Sequence, residues 1–128
     1  QMLKQGSGNI INIASDLALV GGRQAVAYCA SKGAVVMMTK AMALDHARDN
    51  IRVNALCPTD TDTPMMHRDY VDQGLQIATG LKNSAAANPM GRVASPEDVA
   101  EAACFIASAA AGFITGVTLS VDGAATAD

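Results

Sequence analysis

Tryptophan is absent from this chain, and two Phe and two Tyr are its only aromatic residues. Any core must therefore be filled by Ala, Val, Ile, Leu and the seven Met; with half of the 128 residues hydrophobic, one compact domain core is within reach. Three cysteines, Cys29, Cys57 and Cys104, lie far apart and are odd in number, which argues against a disulfide framework and against paired-cysteine zinc binding. They read as reduced thiols, and the expected compartment is the cytoplasm. Two histidines, His46 and His67, are too few for a histidine-rich metal centre, so no metal is expected. Positive charge is not in excess either. A formal net charge of -3 and a pI near 5.2 leave no electrostatic footprint for nucleic acid or an anionic membrane. No apolar run approaches the ~20 residues that a bilayer-spanning helix needs, and no charged start followed by an apolar stretch reads as a secretory signal. The sequence opens at Gln1, so its true amino terminus is not assumed to be present.

The chemistry that is present concentrates in a short stretch, Ala27-Tyr28-Cys29-Ala30-Ser31-Lys32. On a helix, Tyr28 and Lys32 share a face one turn apart. A free phenol has a pKa near 10 and is a poor base at neutral pH, so tyrosine chemistry calls for a nearby positive charge. Two unit charges about 4 Å apart at an effective dielectric near 20 interact by roughly 4 kcal/mol, or about three pK units before desolvation opposes it. That is enough to poise a phenol for proton transfer. Taken alone, such a pair is common on solvated helix faces. Its context is Ser15, which ends the apolar run Ile10-Ile11-Asn12-Ile13-Ala14, a buried strand bounded by Gly8 and Asp16. The carboxyl end of a strand in an open α/β sheet is where ligands bind.

The rest of the chain supplies the frame. Gln1 to Gln5 reads as the tail of a helix closed by Gly6-Ser7-Gly8. A long helix is expected from about Ala25 to Arg48, with Ala30, Gly33, Ala34 and Ala41 as a small-residue stripe that suits another helix, its own sheet or a neighbouring subunit. Ile51 to Leu56 is the next strand, ended by Pro58. Two strands bracketing a helix make a right-handed βαβ unit. Thr59 to about Asn88 is polar and turn-rich, the expected substrate loop, in which Asp60 and Asp62 read as exposed carboxylates and His67 and Arg68 as solvated. Its Met65, Met66, Tyr70, Val71, Leu75, Ile77 and Leu81 either line an apolar pocket or pack one amphipathic helix onto the body. Ser95-Pro96-Glu97-Asp98 opens a further helix with a capping box, and Val99, Ala103, Ile106 and Ala110 are its expected buried face. Val117 to Val121 makes a third strand, and Asp122-Gly123 ends it.

In this order, Asn12-Ile13-Ala14-Ser15, Gly21-Gly22, Tyr28-Cys29-Ala30-Ser31-Lys32, Arg52-Val53-Asn54-Ala55-Leu56-Cys57-Pro58 and Ser120-Val121-Asp122-Gly123 resemble the short-chain dehydrogenase/reductase family over nearly the whole chain. The resemblance implies an α/β fold with a Rossmann-like, doubly wound parallel sheet. It implies an NAD(P)-dependent oxidoreductase that interconverts a secondary alcohol and a ketone, with NAD or NADP as cofactor and the choice between them not fixed by these residues. Ser15, Tyr28 and Lys32 are then the catalytic residues: Tyr28 exchanges the proton, Lys32 lowers its pKa and bonds the nicotinamide ribose, and Ser15 holds the substrate oxygen. Pro58, Thr61 and Thr63 follow the second strand, where the family places a segment beside the nicotinamide; Thr61 would offer backbone groups and Thr63 its hydroxyl. Thr59 stands where the family usually has glycine. The family also implies a homo-oligomer, dimer or tetramer, built in part on the long helix. A related enoyl-reductase branch sets tyrosine and lysine further apart; seven positions after Tyr28 stands Val35, which does not match it.

No Gly-x-x-x-Gly-x-Gly or Gly-x-Gly-x-x-Gly turn lies between a strand and a helix, although the family uses one to carry the pyrophosphate. The chain therefore resembles the carboxyl-terminal part of a single such domain, with the last three strands and their helices at residues 1–128 and the amino-terminal dinucleotide-binding half absent. The expectation is a fragment or partial record of a longer enzyme, inactive by itself. The alternative is a non-catalytic fragment that acts only as an oligomerisation or interaction piece through its open sheet edge or its long helix.

Overall fold

The computed structural model describes residues 1–127. A four-residue helix, α1 (Met2–Gln5), stops at Gly6, whose φ of 66° is the left-handed conformation that glycine adopts without steric cost. Then follow β1 (Gly8–Ile13), a 3-10 turn (Asp16–Ala18), α2 (Val26–His46), a second 3-10 turn (Ala47–Asp49) and β2 (Ile51–Pro58). Helices α3 (Pro64–Asp72), α4 (Ile77–Ala87) and α5 (Pro96–Ala107), a third 3-10 turn (Ala109–Ala111) and β3 (Thr118–Val121) complete the order.

The three strands form one parallel sheet in the order β1-β2-β3, with Gly8 opposite Ile51, Ile13 opposite Leu56 and Pro58 opposite Val121. Because side chains alternate along a strand, β2 offers Ile51, Val53, Ala55 and Cys57 to one face and Arg52, Asn54 and Leu56 to the other. The first face packs on α2: Val36 joins Ala14 and Cys57, while Ala43 joins Ile51 and Val53. Buried Thr39 of α2 accepts a hydrogen bond from Asn12 of β1 at 2.9 Å and so ties helix to strand. On the second face the Arg52 guanidinium donates to the carbonyl oxygens of Ile106, Ser108 and Ile114 at 2.9, 3.3 and 3.2 Å, closing the end of α5. Asn54, fully buried, donates to the Ile114 carbonyl and accepts from the Val117 amide. Helices on both faces of a parallel sheet make this a doubly wound α/β fold of Rossmann type.

Several expectations change in detail. The second strand runs two residues further, to Pro58, because β3 pairs with that end. The polar stretch after Thr59 folds into α3 and α4. Thr63 accepts from the Met66 amide and Pro64 occupies the first turn, so α3 starts where a side-chain cap and a pre-set φ coincide. Met66 and Tyr70 are buried, whereas Met65, Val71 and Ile77 are exposed, so the amphipathic packing reading holds for the first two. The Tyr70 ring lies over Gly80, where an added Cβ would come within 2.4 Å of it, and the Tyr70 hydroxyl donates to Ser84 at 2.8 Å. Ala110 does not share the buried face of α5; the helix ends at Ala107, its spacing breaks, and Ala111 of the following turn is buried instead. Ala30, Ala34 and Ala41 face outward on α2 with Met37 and Leu44, away from the sheet. No helix among the described residues is long and apolar enough to cross a membrane.

Candidate active site

Ser15 lies just beyond β1, where the Ala14 amide still donates to the Leu56 carbonyl at 2.8 Å. It is buried and extended, and its hydroxyl caps the 3-10 turn: Oγ accepts from the Leu17 amide at 3.2 Å and donates to Asp16 Oδ1 at 2.9 Å. Two partners thus fix the side chain at the strand tip.

Tyr28 and Lys32 occupy the first two turns of α2. Lys32 Nζ stands 5.7 Å from the centroid of the Tyr28 ring and donates to the Ile13 carbonyl oxygen at 3.1 Å. The lysine therefore joins the phenol, through the attraction of a cation for a ring face, to the end of β1 two residues before Ser15. One of its three N–H donors is used there. Tyr28 is 40% exposed, so its ring is open to a ligand. Among the described residues no hydrogen bond joins the Tyr28 hydroxyl to Ser15 or to Lys32; tyrosine and lysine are adjacent, and lysine rather than tyrosine reaches the β1 tip.

Cys57, buried at the end of β2, senses the same corner. Burial pushes its thiol above the ordinary range, the Ser15 backbone amide pulls it back, the carboxylates of Asp16 and Asp122 push it up further, and the Lys32 ammonium lowers it. The carboxyl ends of all three strands and the start of α2 thus meet within electrostatic reach of one point.

The loop after β2 is held by backbone pairing. Asp62 N–H donates to the Ala94 carbonyl at 2.9 Å and Ala94 N–H to the Asp60 carbonyl at 3.0 Å, a parallel bridge centred on Thr61. That pairing leaves the N–H and C=O of Thr61 itself outside the bridge, while the Thr61 hydroxyl donates to the Thr59 carbonyl at 2.8 Å. The Thr63 oxygen is occupied as acceptor by the Met66 amide, which leaves its hydroxyl proton to donate elsewhere. Beside this loop, Thr59, Asn88, Arg92, Asp98, Ser120 and Asp122 border an open cleft of about 290 Å³ at the ends of β2 and β3.

Three further contacts order this region. His67 Nε2 meets Asp62 Oδ1 at 2.5 Å, so Asp62 is not a bare loop carboxylate and His67 is only partly solvated. Asn88 donates to the Asp122 carbonyl at 2.9 Å, tying the end of α4 to the end of β3. Arg92 makes a two-pronged pair with Asp98 at 2.6 and 2.9 Å, and the Ser95 amide also donates to Asp98; these contacts hold the Asp98 carboxyl well below the usual carboxylate range. Of the three, only the Asp98 cap had a local signal, its spacing from Ser95.

A parallel sheet wound with helices on both faces defines a doubly wound α/β protein of Rossmann type, and Lys32 sets the Tyr28 ring near the carboxyl end of its first strand. The comparisons narrow the class. A family profile described as Enoyl-(Acyl carrier protein) reductase matches residues 1–126. L-fucose dehydrogenase of Mus musculus is 44% identical over 96% of this chain and 44% of its own length. Cis-4-hydroxycyclohexanecarboxylate dehydrogenase of Sinomonas cyclohexanicum is 43% identical over 98% of the chain and 48% of its own. Among solved structures, the aldohexose dehydrogenase of Thermoplasma acidophilum superimposes with a TM-score of 0.92 at 37% identity, covering 99% of this chain and 51% of that one. Gluconate 5-dehydrogenase of Burkholderia cenocepacia, solved with NADP and tartrate, gives 0.87 at 38% identity, covering 99% and 48%. The chain belongs to the short-chain dehydrogenase/reductase family. It spans about half the length of the curated relatives it matches.

Proposed function

We propose that this chain is the carboxyl-terminal, catalytic part of an NAD(P)-dependent dehydrogenase that interconverts a secondary alcohol and a ketone. The observation that carries this reading is the placing of Lys32 against both the Tyr28 ring and the Ile13 carbonyl, which sets an ammonium at the end of β1, two residues before Ser15, with a phenol ring beside it. Solved relatives with bound NADP support the cofactor class.

The donor set fits the nicotinamide end of a dinucleotide. Lys32 has N–H donors to spare for ribose hydroxyls, the Thr61 backbone groups lie outside the bridge, and the Thr63 hydroxyl proton is uncommitted. Pro58 ends β2 beside them. The cofactor, when bound, accepts or supplies the hydride. In the oxidative direction Tyr28, as phenolate, takes the proton of the substrate hydroxyl; in reduction, as phenol, it returns one. Lys32 holds the face of the Tyr28 ring by the attraction of a cation for an aromatic ring and ties it to the end of β1. Ser15 orients the substrate oxygen by turning its hydroxyl proton from Asp16 toward it. Bringing Tyr28 Oη to the same oxygen fixes substrate between α2 and the β1 tip, over the open face of the tyrosine.

The enoyl-reductase description of the family profile has less support from the residues, since the interval from Tyr28 to Lys32 is four and the curated relatives named above are dehydrogenases. Substrates of the relatives range from a sugar to a cyclic hydroxy acid, which leaves the substrate of this chain at the level of a secondary alcohol or ketone. Tyr28→Phe in the native protein is expected to abolish turnover while dinucleotide binding, followed by calorimetric titration, stays close to that of the parent. A normal rate in this variant ends the assignment. A second reading, an association piece built on the open sheet edge and α2, is favoured by the exposed Met37 and Leu44; homo-oligomerisation through that helix is compatible with either.

A further inference from the structure

Asp62 sits between Thr61 and Thr63, the two residues of the loop with groups to offer a ligand. Its amide is already fixed to Ala94 by the bridge, and its carboxylate is fixed to His67, one turn into α3. His67 is itself bound to the loop a second time, since its amide donates to the Thr63 carbonyl at 3.0 Å. Thr63 would otherwise depend on a weak cap, because its oxygen is 3.4 Å from the Met66 amide. Of these four ties, the Asp62–His67 contact is the one made by two side chains, at 2.5 Å, with the pair about one-third to one-half exposed.

We propose that Asp62 and His67 form a clamp that fixes the loop after β2 to the start of α3 and thereby holds Thr61 and Thr63 in position for the cofactor. They are positioning residues that act through the two threonines, with no part in proton transfer. The inference rests on the nicotinamide reading of that loop, and its chemistry is a charge-assisted bond between an imidazole N–H and a carboxylate. An exposed pair of this kind contributes little to global stability, so its effect falls on the order of the loop.

The test uses the native protein with Asp62→Ala, His67→Ala and His67→Gln, the last keeping a side-chain N–H donor. Both residues are partly exposed, so none of the three should disturb the core. In the alanine variants, amide hydrogen exchange across residues 60–67 is expected to accelerate without any dinucleotide present. The dinucleotide KM is expected to rise by about two- to fivefold, with kcat nearly unchanged, and His67→Gln should restore most of both. Unchanged exchange in both alanine variants overturns the clamp whatever the enzyme does. Faster exchange with an unaltered KM, or a loss of kcat alone, overturns the link to the cofactor. If the parent protein neither binds nor turns over with a dinucleotide, the proposed function and the link to the cofactor both fall; the exchange measurement then decides only whether the clamp holds the loop.

Discussion

Ser15 spends its one hydroxyl proton on Asp16 and its oxygen on the Leu17 amide, so it is held by neighbours that, on the proposed function, a substrate would displace in part. A serine free to rotate in solvent would lose more entropy on binding; here the rotamer is already chosen and only the proton has to turn. Cys57, next to it, illustrates how the same corner treats another group. Its thiol is fully buried and pushed up by that burial, whereas Cys104 on α5 is exposed. Alkylation with a maleimide under native conditions should therefore modify Cys104 and leave Cys57 untouched until the chain is unfolded, read by peptide mass mapping. Rapid labelling of Cys57 in the folded protein would contradict its burial. The adjacency of Tyr28 and Lys32 on one helix was legible in the sequence because their spacing is local, and the place of Ser15 at a strand end because an apolar run precedes it. What local spacing does not specify is the tertiary partner: Lys32 donates to a strand carbonyl nineteen residues back, and nothing in the sequence near Lys32 announces Ile13.

Among the elements, those with strong local signals came out where their residues place them. Helix α5 starts at Ser95 because a complete capping box and Pro96 coincide there, and β1, α2, β2 and β3 follow from apolar runs and helical spacing. Helices α3 and α4 were hidden because turn residues and amides dilute their periodicity, and their pairing depends on Tyr70 lying over Gly80, which is a matter of shape. The cap of α5 is also titratable. Arg92 and the Ser95 amide hold the Asp98 carboxyl below its usual range, so the native state prefers the ionised form. A depressed pKa contributes stability above the unfolded value, near 3.9, and that contribution fades as pH falls toward the native one. The difference in melting temperature between the parent and Asp98→Asn should accordingly be largest at neutral pH and shrink below about pH 4. A constant difference across that window would mean that the charge of Asp98 is not what holds the turn.

For the whole molecule, the sheet has β2 at its centre and two flanks, each paired on one side. The α2 surface turned away from the sheet shows Val26 at 83%, Met37 at 63% and Leu44 at 83% exposure, a continuous apolar stripe at helical spacing. Such a surface is costly in water unless something covers it. Sedimentation velocity of these 128 residues prepared alone should show mass rising with concentration, and a sharp monomer at high concentration would show that the stripe tolerates solvent. The fold class was readable in advance because alternating strands and helices leave few topologies. Whether the small-residue stripe of α2 packs on the sheet or faces away from it was not, since the same small side chains suit either.

Arg52 joins the middle of the sheet to carbonyls 54 and 62 positions later in the chain, and Asn54 reaches 60 positions ahead for its own partner. During synthesis, then, β2 leaves the ribosome with its cation and its amide unanswered, and it completes its surroundings only after the chain up to Val117 has emerged. Docking of β2 with α5 and β3 is consequently a late event, slowed by the loops that must close first.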